Sequence, residues 1–268
     1  MMMIPLLPGI APTAEDIMCR VAENQTAAQE ARSAYVYDMN VFVRLKRANG
    51  KLAREESRDY VVAPTPKGAA RKLVKLEGKI VDGKREIPYT TPKFRYKGTD
   101  VDEAVTTSFA KELMWKKGDN GPMVGWFPLS KRRMRNATFT YQGEEHYREF
   151  DVFKVEYEEH DDGDCWRGEV LVEKNEFQPV LVTSEWSCRI PTAVKVLLGT
   201  NVTNLGVKIA YQRFEKGVWF PVTGGGELKL RVLFMYARTI AFSAKNSGFR
   251  KTDVNSTIDF EPASEQPE

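Results

Sequence analysis

The chain has 268 residues, 40 basic and 37 acidic, and a net charge of +3. That charge is too small to mark a nucleic-acid or anionic-membrane binder by itself. Hydrophobic residues at 42% and charged residues at 29% are ordinary for a soluble globular protein, and no apolar run reaches the ~20 residues of a membrane helix.

Residues 1–12, MMMIPLLPGIAP, are apolar, and Gly9-x-Ala11 gives the small-x-small pattern of a signal-peptidase site. No basic region precedes it, and Pro12 stands directly after it. The stretch is either the remnant of a secretory signal or an unstructured arm. The first alternative places the protein in the periplasm or outside the cell. Cys19 is not a lipidation site of the bacterial lipoprotein kind, because Asp16-Ile17-Met18 lacks the required small residue.

Thr13 to Gln29 predicts a helix, capped by Thr13, with Glu15 and Asp16 in its first turn and Ala14, Ile17, Met18 and Val21 on one stripe. From Ala34 the period changes to 2: Tyr35, Tyr37, Met39, Val41, Val43 and Leu45 alternate with mostly polar residues. Asn49-Gly50 marks a turn. Strands follow through 58–62 and 71–81. Residues 86–100, with Pro88 and Pro92, read as a loop. Asp100 then caps a helix with Val101, Val105, Phe109 and Leu113 as its stripe, and 116–136 is irregular. Connections of this length are more often functional or mobile than incidental, so 84–136 reads as an inserted region and a candidate lid.

In the C-terminal half, strands are expected near 137–142, 147–158, 165–173, 180–188, 206–214, 217–222, 227–243 and 249–260. Gln142-Gly143 and Gly224-Gly225-Gly226 are expected as turns, and 191–198 as a short helix. Leu228, Leu230, Val232, Phe234, Tyr236, Ile240 and Phe242 share one parity, which predicts one long strand from Glu227 and a long, curved sheet. The pattern is antiparallel, an α+β or half-barrel arrangement, with one domain over 13–260 and a disordered tail over 261–268.

Pairing Glu173 with Val180 across the loop 174–179 sets Arg167 against Trp186 and Cys165 against Cys188. A cross-strand disulfide there suits an oxidising compartment; the alternative is two buried free thiols. The same hairpin carries a resemblance. Trp166-x-Gly168-x-Val170-x-Val172-x-Lys174, followed by Pro179-Val180, resembles the strand–turn–strand signature of the periplasmic lipoprotein-carrier (LolA/LolB-like) superfamily. The opening helix and the aromatic strand from Tyr35 are similar to that family's N-terminus. The resemblance implies a curved antiparallel sheet forming an unclosed half-barrel, with two or three helices packed in or across it. It implies a cavity that accepts acyl chains of a lipid or lipoprotein and no enzymatic activity or cofactor. The concave face of the long strands is the expected ligand surface: Tyr37, Met39 and Val41, with Leu230, Val232 and Phe234.

No nucleophile elbow, zinc signature or phosphate loop occurs, and the acidic run around His160 does not match a calcium loop, so no catalytic or metal residue is nominated. Lys131-Arg132-Arg133-Met134-Arg135 is the strongest charge feature. Arg132 and Arg133 are the candidates for contact with lipid headgroups or an envelope protein, the alternative being a solvated loop. No nucleic-acid partner is expected, peripheral membrane contact is open, and the chain is expected to act as a monomer. A protein-interaction or sensor module on the same fold is the alternative function.

Overall fold

The computed structural model describes residues 12–65, 68–97, 100–108, 129, 131–159, 166–187, 201–232 and 235–252. Among these residues, three helices, α1 (Ala14–Arg32), α2 (Val101–Ser108) and α3 (Lys131–Met134), accompany eleven strands. The strands are β1 (Tyr35–Arg47), β2 (Leu52–Thr65), β3 (Gly68–Asp82), β4 (Arg85–Tyr89), β5 (Ala137–Tyr147), β6 (Phe150–Glu159), β7 (Trp166–Glu173), β8 (Pro179–Trp186), β9 (Asn201–Glu215), β10 (Val218–Val232) and β11 (Tyr236–Lys251). They form one sheet in the order β4-β3-β2-β1-β11-β10-β9-β8-β7-β6-β5, antiparallel throughout. Two meanders run outward from a seam where β11 returns to β1. The sheet ends at β4 and β5 without closing into a barrel, so the expected open antiparallel sheet is present.

The sheet is strongly curled. β6 and β10 stand four positions apart, about 19 Å in a flat sheet. Yet the rings of Phe150 and Trp219, at the starts of these two strands, have centroids 5.2 Å apart. The period-2 pattern gives the sheet one apolar face. Across successive strands, Val41, Ala244, Gly224, Ile209, Val182, Val170 and Val155 stand opposite one another, and all but Gly224 belong to one buried hydrophobic cluster.

Helix α1 lies on this face. Thr13 caps it, its hydroxyl accepting from the Asp16 N–H at 3.1 Å while Asp16 reaches back to the Thr13 N–H. Ala14, Ile17, Met18, Val21, Ala22, Gln25, Ala28 and Arg32 are buried, the stripe expected at helical spacing, and Cys19 is exposed. Asn24 and Gln25 tie the helix to the β7–β8 turn through the Glu176 carbonyl at 2.6 Å and the Gln178 side chain at 2.6 Å.

Five sequence expectations are corrected. Residues 85–89 are a strand, not a loop, because β4 is an edge strand and Pro88 removes no ladder bond the sheet needs there. Gln142-Gly143 is a bulge inside β5, with Gly143 at φ 123°; the chain reverses at Arg148-Glu149 instead, with Tyr147 opposite Phe150. Gly224-Gly225-Gly226 lies within β10, paired on both sides, where a Cβ on Gly226 would fall 2.0 Å from the Gly206 carbonyl oxygen. The expected strand 227–243 is a hairpin of β10 and β11, in which Val232 faces Tyr236.

The fifth correction concerns register. In β7–β8, Trp166 faces Trp186 and Arg167 faces Glu185, one residue away from expectation. The turn is tighter than expected: the Glu173 N–H donates to the Gln178 carbonyl at 2.8 Å, and the Glu173 carboxylate accepts from the Asn175 and Glu176 N–H groups. Cys165, Cys188, His160 and the helix expected over 191–198 lie outside the described residues.

Candidate functional site

The candidate site is the apolar face and the two helices that cover it. On β1 the expected ligand residues Tyr37, Met39 and Val41 are all buried on this face, Tyr37 stacking on Phe249 with centroids 5.3 Å apart. Leu230 and Val232 on β10 are half-buried. Phe234 lies outside the described residues. The two groups share a face but are not brought together. Across β11, Val41 is level with Ala244 and Leu230 with Arg238, six residues along the strand and thus about 20 Å. The β1 neighbour of the Leu228–Leu230 region is Leu45, through Ile240.

At this end the sheet meets α2. Asp100 caps the helix, accepting from the Glu103 N–H at 3.0 Å, as its sequence position predicts. Of the expected apolar stripe, Val105 packs against the core cluster while Val101 is exposed, and Glu103 and Thr106 are buried beside it. Ion pairs add to that packing. The Nε and Nη2 of Arg238 donate to the two oxygens of Asp102 at 2.8 and 3.0 Å, and the Tyr236 hydroxyl donates to Asp102 at 2.5 Å. The neighbouring Asp100 takes Nη1 of buried Arg54 at 3.0 Å. Leu230 and Val232 stand directly opposite Arg238 and Tyr236, so the expected ligand residues adjoin the anchor points of α2. Phe109 and Leu113 lie outside the described residues.

The apolar face is interrupted on β2. Arg54, Glu56 and Arg58 project to the same side as Leu45, Val43 and Val41 and are all buried. Arg54 is fully engaged, with Nε on the Tyr89 hydroxyl at 2.8 Å and Nη2 on the Phe94 carbonyl at 2.9 Å. Glu56 takes the Tyr89 hydroxyl at 2.7 Å and the Arg58 Nε. Burial, with Glu56 beside it, pushes the Tyr89 phenol well above its ordinary range. Sequence alternation does not single out this network, because its three charged residues sit where apolar ones belong.

At the far end, Arg32 enters from the last turn of α1. Its Nη1 donates to the Trp219 carbonyl at 2.9 Å, and among the described residues Nε and Nη2 have no partner. The buried hydroxyl of Tyr211 is also unpartnered. Burial lowers the pKa of the guanidinium and pushes the phenols of Tyr37 and Tyr211 up to about 12. Nothing in the sequence distinguishes Arg32 from an ordinary helix-terminal arginine.

Helix α3 contains Arg132 and Arg133, but their side chains lie outside the described residues; of its neighbours, Lys131 pairs with Glu23 of α1 at 3.0 Å. His146 is exposed beside Asp151 at 3.0 Å. The described residues contain no group of three or more potential metal ligands and no helix long and apolar enough to cross a membrane. On the opposite, polar face an open trough of about 810 Å³ is lined by Thr138, Thr140, Glu156, Glu158, Arg167 and Glu185 among others.

No family model and no curated protein matches the chain. Among solved structures, it is similar to an outer membrane lipoprotein-sorting protein domain from Vibrio parahaemolyticus. The identity is 11% over 91% of this chain and 95% of that one, with a TM-score of 0.41. A DUF1329 family protein from Desulfovibrio piger is similar at 12% identity over 92% and 96% of the two chains, with a TM-score of 0.34. Lipovitellin is similar at 8% identity, with a TM-score of 0.32; the match spans 84% of this chain and 26% of lipovitellin.

Proposed function

We propose that this chain is a non-catalytic cell-envelope protein that holds the acyl chains of a lipid or lipoprotein against the apolar face of its open sheet. The observation that carries the reading is the band from Val41 to Val155. It is an apolar surface seven strands wide, on a sheet that does not close and is faced by helices rather than by a second sheet. An acyl chain enters such a surface by taking the place of a covering helix. The hydrophobic gain of about 0.8 kcal/mol per buried methylene then offsets the packing that the helix gives up.

Helix α2 is the more easily displaced cover. Its described residues, Val101–Ser108, are held to the sheet by two ion pairs and by half-buried Val105, whereas α1 buries Ile17, Met18 and Val21. Release of α2 would uncover Leu230 and Val232 beside its anchors, with Tyr37, Met39 and Val41 further along the same face. In this reading the 84–136 region contains the lid, and the protein works as a monomer in the periplasm. The direct test is organic extraction of the purified protein followed by lipid mass spectrometry, with titration of a fluorescent fatty acid. Bound acyl species and saturable uptake support the reading; a clean extract with no uptake sinks it.

A second reading, an envelope protein-interaction or sensor module, is favoured by the trough on the polar face. Its test is the double substitution Glu158→Lys and Glu185→Lys. Loss of a co-purifying envelope protein with acyl uptake unchanged would favour this reading over the first.

A further inference from the structure

Two arginines of this molecule present the same edge of the guanidinium group in different circumstances. Arg238 grips Asp102 with Nε and Nη2 at 2.8 and 3.0 Å, the side-on fork that matches the two oxygens of a carboxylate. Arg32 offers the same two nitrogens, Nε and Nη2, to no partner among the described residues, although only 5% of the residue is exposed. The groups that act electrostatically on Arg32 are the Tyr211 and Tyr37 phenols, and among the described residues no carboxylate pairs with it. The Tyr211 hydroxyl, equally buried, adds a third unused donor on the neighbouring strand β9. An arginine cannot escape burial by losing its proton, and an uncompensated buried charge is strongly unfavourable, so this node is built for a negative occupant.

We propose that the Nε/Nη2 edge of Arg32, with the Tyr211 hydroxyl near it, is the subsite for the carboxylate of a free fatty acid whose chain lies on the apolar face. The inference rests on the acyl-binding reading and adds the chemical class of the head group. Its position supports the assignment. Arg32 reaches the start of β10 at the Trp219 carbonyl, and the two phenols that act on it, Tyr37 and Tyr211, both belong to the buried cluster of the apolar face, so the head group adjoins that face. A carboxylate fills the fork with two parallel hydrogen bonds, and the planar match favours it over a tetrahedral phosphate in a confined site.

The test compares oleate, methyl oleate and oleoyl lysophosphatidate binding to the delipidated full chain and to Arg32→Met. Wild type is expected to bind oleate about tenfold or more tighter than the methyl ester. Arg32→Met is expected to bind both alike, at the wild-type affinity for the ester, with its unliganded thermal midpoint no lower than that of wild type. Should Arg32→Met fail to fold, Arg32→Lys keeps the charge without the fork and should lose most of the preference. Equal binding of oleate and methyl oleate to wild type, or a preference that survives at position 32, overturns the carboxylate subsite while leaving acyl binding intact. Tighter, Arg32-dependent binding of the lysophosphatidate overturns the choice of carboxylate over phosphate. Binding of none of the three overturns the acyl reading itself, and this inference with it.

Discussion

The indole of Trp219 on β10 touches the ring of Phe150 on β6, centroids 5.2 Å apart, although three strands lie between them in the sheet. This contact records the curl of the sheet between β6 and β10. Trp219 is completely buried, and its Nε1–H donates to Glu176 at 2.7 Å, so it also joins the β7–β8 turn to the start of β10. Trp219→Ala is therefore expected to destabilise the fold by about 3–5 kcal/mol, the usual range for deleting a buried tryptophan. Trp219→Phe, which keeps a ring but removes the indole donor while Glu176 retains Gly217 and Arg213, is expected to cost about 1 kcal/mol. Urea denaturation followed by circular dichroism measures both.

The polar part of the hold on α2 can be loosened without touching Val105, which packs against the core. Asp102→Asn removes the charge that Arg238 and Tyr236 both address. The expected loss is about 2 kcal/mol, because one partner of a largely buried pair is left behind. Amides of α2 should exchange with deuterium at least about tenfold faster, while those of β8 and β9 keep their protection. Uniform loss of protection across the sheet would contradict an independently detachable α2.

Two buried phenols make stability fall at alkaline pH. Burial raises Tyr37 and Tyr211 to about 12 in the fold, against 10.0 ordinarily. Below pH 10 both are neutral in the folded and unfolded chains, so their contribution is fully present. Between pH 10 and 12 the unfolded chain releases protons that the folded chain retains. Stability then falls by up to about 1.4 kcal/mol per phenol for each pH unit crossed. Denaturant midpoints measured at pH 9, 10.5 and 11.5 should decline in that order. Tyr211→Phe should flatten the decline and be neutral or stabilising at pH 7, since the hydroxyl it removes is unpartnered.

Gly168, in the middle of the hairpin that resembles the lipoprotein carriers, has a packing reason for its identity. A Cβ there would fall 1.9 Å from the Thr183 carbonyl oxygen. Tyr157 and Ser184 stand on either side of it in the sheet, and their hydroxyls meet across the space that a side chain would occupy. Gly168→Ala should force β7 and β8 apart and cost about 3 kcal/mol or more. A thermal midpoint unchanged from wild type would contradict that account.

The sheet is largely legible in the sequence because alternation reports which residues share a face. It does not report where a chain folds back. In the β10–β11 hairpin the paired residues, Val232 with Tyr236 and Leu228 with Ile240, have the same parity, so the pattern runs through the reversal unbroken. That is why two strands read as one. The β7–β8 register slips for a related reason: Glu173 closes a tight turn with its own carboxylate, and nothing in the alternation fixes the turn length. The burial of Tyr37, Met39 and Val41 on the apolar face is legible because it follows that alternation. The polar part is not. Arg32 ends a helix, Arg54, Glu56 and Arg58 break the pattern, and their roles depend on partners distant in sequence such as Trp219, Tyr89 and Asp100.

Entry of an acyl chain onto the apolar face as α2 gives way can be read in a single titration. A fluorescent fatty acid is titrated into the delipidated wild-type protein and into Asp102→Asn. Saturable one-site binding to wild type, with faster uptake by Asp102→Asn, is the expected result. Absence of saturable binding to both proteins, with each shown to be folded, would contradict the account.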